Sequence, residues 1–175
     1  IVHQTVDLSE PLADALSQAS ALAGERNILI DCPPMPKGSV KVIGDAQRLS
    51  QLLLLLLDNA VRYSHSHGTV TVRWERCTEF PPMLRLQVTD QGIGIPAEEL
   101  HQVFDRHFRG SLARLHRAAG SGLGLPIAKA LVLAHGGNLT LQSPADDMQN
   151  TGTCVVLNLP LLTRPVLDTL QTAQT

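Results

Sequence analysis

Asp45-Ala46-Gln47-Arg48-Leu49-Ser50-Gln51-Leu52-Leu53-Leu54-Leu55-Leu56-Leu57-Asp58-Asn59-Ala60-Val61-Arg62-Tyr63-Ser64 is the stretch on which the reading of this chain turns. Leu49, Leu52, Leu53, Leu56 and Ala60 recur at i, i+3, i+4 and i+7, the period of a helix. Asp45 stands where a capping side chain starts such a helix. The apolar residues spill onto more than one side, so the helix is expected deep in the core. Its aliphatic run, Leu52 to Leu57, falls far short of the ~20 residues that span a membrane. The helix ends on Asn59, Arg62 and Tyr63, which share one face at i, i+3 and i+4. An amide oxygen, a guanidinium and a ring placed together suit a metal ion, a phosphate and a base. Asn59 and Tyr63 also have plain alternatives: a helix-terminal amide bonded to backbone, and a core ring with its hydroxyl outside.

Outward from this helix the pattern alternates. Before it come a short extended piece around Val6 and Leu8, a helix from a Ser9 N-cap through Leu12, Leu16 and Ala19 to Gly24, a strand at Ile28–Ile30, a proline-rich loop, and a strand at Val40–Ile43. After it, Thr69–Glu75 and Leu84–Val88 alternate apolar and polar residues and read as a hairpin around Phe80-Pro81-Pro82. A short helical pattern at Ala97–Phe104 precedes a basic stretch holding Arg106, Arg109, Arg114 and Arg117. A helix then runs to about His135, and Asn138–Gln142 with Cys154–Leu159 closes the chain as a second hairpin. Helices interleaved with hairpins predict an α+β fold: a two-layer α/β sandwich, with a mixed, mostly antiparallel sheet covered on one face by helices. One domain over residues 1–162 and a C-terminal tail over 163–175 are expected.

Two glycine-rich turns frame the basic stretch. They are Asp90-Gln91-Gly92-Ile93-Gly94-Ile95-Pro96 and Gly120-Ser121-Gly122-Leu123-Gly124-Leu125. A helix follows the second directly, and unsatisfied N–H groups at a helix start favour an anion. Glycines let a phosphate approach the main chain. Asp90 closes a strand ahead of the first turn, where a carboxylate can accept from an exocyclic amine such as that of adenine. Either turn alone reads equally well as a tight turn, and Asp90 as a turn-former.

Composition narrows the field. The chain has 175 residues, with 14 Lys+Arg against 16 Asp+Glu and a formal net charge of −2. That argues against a duplex nucleic-acid binder. One Trp, one Tyr and three Phe make a stacking platform for single strands a poor reading. Cys32, Cys77 and Cys154 are odd in number and form no C-x-x-C pair, so neither a disulfide framework nor a zinc site is indicated. His65 and His67 lack a third ligand and read as a solvated turn.

Taken together, these segments resemble the ATP-binding catalytic domain of sensor histidine kinases, in the superfamily that also holds gyrase B, Hsp90 and MutL. Leu56–Ser64 is similar to the N box, Asp90–Pro96 to the G1 box, Val103–Gly110 to the F box and Gly120–Leu125 to the G2 box; Thr151-Gly152-Thr153 resembles the closing Gly-Thr element. The resemblance implies a Bergerat-type ATP-binding fold. It implies ATP and Mg²⁺ as cofactors, with Asp90 on the adenine amine and Asn59 holding Mg²⁺. Arg62 and Tyr63 would line the phosphate and base sides of the pocket. Gly92, Gly94 and Ile95 of the first turn, Phe108 of the F box and Thr153 would complete it. Gly120, Ser121, Gly122, Leu123, Gly124 and Leu125 would cradle the phosphates. Residues 97–119 would form a mobile lid, from which Arg109, helped by Arg106, would reach the γ-phosphate. The implied partners are a dimerisation and phosphoacceptor domain of the same protein and a response regulator, with no nucleic acid and no direct membrane contact by a monomeric, cytoplasmic domain of a parent that can itself be membrane-anchored.

The sequence departs from the family pattern in three ways. Leu55 stands one turn before Asn59, where the kinases usually carry a second Asn and the sister ATPases a Glu. An alkyl chain neither ligates Mg²⁺ nor activates water, so independent ATP hydrolysis is not expected. Pro126 sits early in the helix after the second turn, which a first turn tolerates, and Arg62 replaces the commoner Lys. None of the seven histidines lies in a His-Glu-x-Arg/Lys-x-Pro box, and the chain opens on Ile1. The phosphoacceptor helices are therefore expected upstream, outside this chain. Leu55 keeps an alternative open, a degenerate nucleotide-sensing or protein-interaction domain without phosphotransfer. The F box speaks against a third reading, a kinase acting on Ser of a partner.

Overall fold

The computed structural model describes residues 3–115, 121–144 and 151–162. Seven strands and four α-helices are present among them: β1 (Gln4–Asp7), α1 (Ser9–Glu25), β2 (Leu29–Asp31), β3 (Lys41–Gly44), α2 (Ala46–Tyr63), β4 (Thr69–Cys77), β5 (Met83–Asp90), α3 (Ser111–Leu115), α4 (Gly124–Ala134), β6 (Asn138–Gln142) and β7 (Thr153–Pro160). A 3-10 helix covers Ala97–Gln102. The main sheet has the order β2-β4-β5-β7-β6. Only β2 runs parallel to its neighbour, β4; the other pairings are antiparallel. The expected mixed, mostly antiparallel sheet is what forms.

Alternation along the strands decides which face is covered. Val70, Val72, Leu84, Leu86, Val88, Leu157 and Leu159 turn inward and are buried. Arg73, Glu75 and Arg85 turn the other way and are exposed. Helices α1, α2 and α4 lie over the inward face, with α2 in the middle, packed on α1, α4 and β5. Leu49, Leu52, Leu53, Leu56, Leu57, Ala60 and Val61 of α2 are all buried. Each leucine taken fully out of water contributes about 1.5–3 kcal/mol.

Both ends of α2 are held. The Asp45 carboxylate accepts from the Arg48 N–H at 3.1 Å, as the sequence predicts. The backbone N–H of Asp45 donates to Nε2 of the buried His135 at 3.2 Å, and Nδ1 of that ring lies 2.7 Å from the Leu131 carbonyl. The two contacts together put the imidazole proton on Nδ1, and they tie the start of α2 to the end of α4. Gly44 makes this possible, because a Cβ there would lie 2.4 Å from Cδ2 of His135.

One reading of the N-terminal region needs correction. Ser9 does not cap α1; Leu8 is the cap residue and Ser9 is already helical. The Ser9 N–H and hydroxyl both donate to the nearby, charged Asp7 carboxylate, at 3.2 and 2.9 Å. The first extended piece, β1, lies outside the main sheet. It pairs antiparallel with β3 in a separate two-stranded sheet, a partner too distant in sequence for local pattern to identify.

Leu52→Ala, at a fully buried position, is expected to destabilise the fold by about 2–5 kcal/mol. Asp45→Ala costs only about 1 kcal/mol, the worth of an N-cap. Urea unfolding of the two variants beside wild type checks the order.

Candidate functional site

Asn59, Tyr63, Asp90, Ile95, Arg109 and Thr153 come from five different segments, yet all line one cavity. Its walls are apolar, made by Leu56, Val88, Ile93, Leu125, Leu141 and Val155, with Gly94 and Phe108 completing it among the predicted residues. The strand register brings much of this together: Thr153 on β7 pairs directly with Asp90 on β5. The Thr153 N–H donates to Asp90 Oδ1 at 3.2 Å.

Asp90 lies under the cavity with 6% of its surface exposed. Burial raises its pKa to about 7, against the opposing pull of the Thr153 and Gly92 N–H groups. Gly92 is under Asp90 for a steric reason. A Cβ there would sit 2.1 Å from the Tyr63 carbonyl and 2.7 Å from Asp90 Oδ1. The first glycine turn is therefore pressed against the end of α2.

That helix end divides its three predicted residues. Asn59 and Tyr63 line the cavity. Arg62 does not; its guanidinium is bonded to both oxygens of Asp58, one turn earlier, at 3.1 and 2.9 Å. Asn59 faces the start of α4. A Cβ on Gly124 would be 3.1 Å from its Nδ2 and 3.3 Å from its Oδ1. The Nδ2 is buried and has no hydrogen-bond partner in the protein. A buried amide left open costs stability unless something else completes it, which marks functional sites. Leu55, one turn before Asn59, is packed against the core.

The second glycine turn supports the F-box segment. Gly122 has φ +71°, and a Cβ on it would lie 2.7 Å from the Phe108 carbonyl. The His107 N–H donates to the Gly122 carbonyl at 3.0 Å. Leu125 lines the cavity, whereas Ser121, Gly122, Leu123 and Gly124 do not; Gly122 packs on Phe108 and Gly124 on Asn59. Arg109 lines the cavity and Arg106 is exposed. Gly120 and Arg117 lie outside the described residues. The segment between the turns contains the 3-10 helix where a helical pattern was expected, and also α3, which was not.

Two residues hold the site without announcing themselves in the sequence. The Ser143 hydroxyl accepts from the Ile95 N–H and donates to the Gly152 carbonyl, both at 2.8 Å. It thereby joins the first glycine turn to the start of β7. The Glu99 carboxylate accepts from the Ser111 N–H with both oxygens at 3.0 Å. Nothing in the spacing marks either one; only the folded chain brings their partners within reach.

Residues 44–163 match the family described as histidine kinase-, DNA gyrase B-, and HSP90-like ATPase. The chain is 40% identical over 138 residues to the probable sensor histidine kinase TcrY of Mycobacterium tuberculosis, an alignment covering 79% of this chain and 28% of that protein. It is 35% identical over 166 residues to the signal transduction histidine-protein kinase/phosphatase MprB of Mycobacterium leprae, covering 95% of this chain and 30% of the relative. The chain therefore spans under a third of the length of these curated relatives. A solved mycobacterial sensor histidine kinase MprB superposes with a TM-score of 0.76 at 37% identity, over 93% of this chain and all of that one. The catalytic domain of histidine kinase ThkA shares the fold at a TM-score of 0.74 and 20% identity, over 91% of this chain and 96% of that one.

The raised Asp90 pKa sets a pH signature. With a folded value of about 7 above an ordinary 3.8, the native state holds more protons than the unfolded one between them. Asp90 then detracts progressively from stability as pH rises through that window, and no further above it. Asp90→Asn removes the ionisation. Its stability relative to wild type is expected to increase by a few kcal/mol from acid to neutral pH, read by denaturant titrations across the range.

Proposed function

Because the chain belongs to the histidine kinase-, DNA gyrase B-, and HSP90-like ATPase family, we propose that it binds ATP in the cavity described above and serves as the catalytic domain of a two-component sensor histidine kinase. The observation that carries this reading is the pairing of Asp90, buried beneath an apolar cavity, with the open Asn59 amide against the start of α4. Adenine enters the apolar end and its exocyclic amine donates to Asp90. The triphosphate runs toward Asn59 and the second glycine turn, where the N–H groups at the start of α4 face it. Ser121, Gly122, Leu123 and Gly124 form that cradle. Arg109 takes the γ-phosphate, and Arg106 assists it. Arg62, outside the cavity lining and paired with Asp58, takes no direct part in holding the nucleotide.

The phosphate end also bears on Mg²⁺. Asn59 would hold the ion through its amide oxygen, and the ion supplies screening of the triphosphate charge. No group of three or more His, Cys, Asp or Glu suited to a metal occurs among the described residues. An ion of this kind rides on phosphates and water with one or two protein ligands, and Asn59 is one such ligand. Leu55 adds none.

The chemistry is positioning plus charge stabilisation. The γ-phosphoryl leaves the β-phosphate oxygen and bonds to a His nitrogen of a dimerisation domain, and ADP departs. A response regulator would receive it next. The relatives named as sensor kinases favour this over a nucleotide sensor without chemistry. No helix among the described residues is long and apolar enough to cross a membrane.

Calorimetric titration with ATP tests the site. Wild type is expected to bind, with affinity rising from about pH 6 to about pH 8 because the amine favours ionised Asp90 and binding expels its proton. Asp90→Asn should bind roughly 10–100-fold more weakly, the loss of a hydrogen bond to a charged group. Leu55→Asn should increase the tightening that Mg²⁺ produces. Adding a separately produced dimerisation domain should yield acid-labile phosphohistidine; binding without any transfer would support the sensor reading instead.

A further inference from the structure

Helix α2 ends with four carbonyls that no further turn of helix can satisfy. Ala60 O is taken by the Ser64 N–H at 3.1 Å and by the Ser64 hydroxyl at 2.8 Å. Tyr63 O is taken by the Ile93 N–H at 3.2 Å. The two between them, Val61 O and Arg62 O, are both taken by Nη1 of Arg26, at 2.9 Å to the first. Nη2 of the same guanidinium reaches Ser64 O at 2.9 Å. One side chain from the C-cap of α1 thus closes the end of the helix on which Asn59 and Tyr63 sit. Arg26 is not among the residues lining the cavity.

We propose that Arg26 is a positioning residue for nucleotide binding: it sets the last turn of α2 against the Asp90 turn, and so fixes Tyr63 and Asn59 relative to Asp90. The inference rests on the nucleotide reading above. Its physical basis is threefold. The cation stands at the negative end of the α2 dipole, where it is favoured. A planar fork with several N–H groups spans three carbonyls, which a lysine ammonium does not do. The turn it closes has little slack on its far side, because the Tyr63 carbonyl that accepts from Ile93 is also the atom a Cβ on Gly92 would approach to 2.1 Å. Releasing Val61 O, Arg62 O and Ser64 O lets that turn fray, and its movement reaches Tyr63 and the first glycine turn together.

The test uses the 175-residue chain with Arg26→Met and Arg26→Lys, titrated with ADP well below the thermal midpoint of each variant. Tyr63 is the one tyrosine in the sequence, so 3-fluorotyrosine labelling reports the cavity wall by a single ¹⁹F resonance without any nucleotide. Arg26→Met is expected to weaken ADP binding roughly tenfold and to broaden or split the Tyr63 resonance, with Arg26→Lys intermediate and added guanidinium partly restoring the Met variant. Unchanged affinity with an unchanged resonance, even with a lowered midpoint, overturns the proposal and makes Arg26 a stability element only. Failure of both variants to fold overturns it too, since Arg26 would then hold the fold rather than the site. If wild type itself binds no ADP, the nucleotide reading fails and this inference with it, whereas wild-type binding that both variants match defeats the inference alone.

Discussion

Burial of α2 is the constraint on which the rest of the molecule depends. Its leucines supply the middle of the core, so the helix cannot shift without exposing them. The same helix carries Asn59 and Tyr63 into the cavity at its C-terminal end. Core and site are therefore one object, and the accuracy of the site is inherited from the packing. The helix is also fastened at both ends, by Asp45 and His135 at the start and by Arg26 and Ile93 at the finish. A ligand-binding residue on such an element is held within a small range of positions, which is what recognition by a few polar groups requires.

The segments around the cavity are tied by polar contacts as well as by the burial of Val103 and the packing of Phe104 against the core. Ser143 joins the first glycine turn to β7, and Glu99 joins the 3-10 helix to α3. Lys129 on α4 lies 4.5 Å from the Phe104 ring centroid, a cation–π contact between the helix layer and the segment over the cavity. Contacts of this size are individually weak. The charged residue at the cavity floor is the exception to the apolar rule of buried surfaces, and Asp90 keeps its place only because two backbone N–H groups face it.

Much was legible in the sequence because it is local. The period of Leu49 to Ala60 identifies α2, the alternation of β4, β5 and β7 identifies strands, and the two glycine turns stand out by composition. Asp45 as a cap needs only its neighbours. Other features were illegible because they are decided between segments. Ser9 looks like a cap, yet the helix begins at Ser9 itself with Leu8 as the cap residue, and the Ser9 hydroxyl bonds back to Asp7. Arg62 shares a helical face with Asn59 and Tyr63, yet Asp58 holds its guanidinium away from the cavity. The pairing of β1 with β3 and the role of Ser143 depend on partners 34 or more residues away in the one case and on two loops at once in the other.

By itself the sequence determined the long helices and the strands of the main sheet and which face each turns inward, since period acts over a few residues. Only the tertiary structure decided that Thr153 sits opposite Asp90, that the Asn59 amide is left open against Gly124, and that Arg26 closes the end of α2. These follow from strand register and helix packing, which bring distant residues within hydrogen-bond reach. That geometry exists only once the whole core has formed.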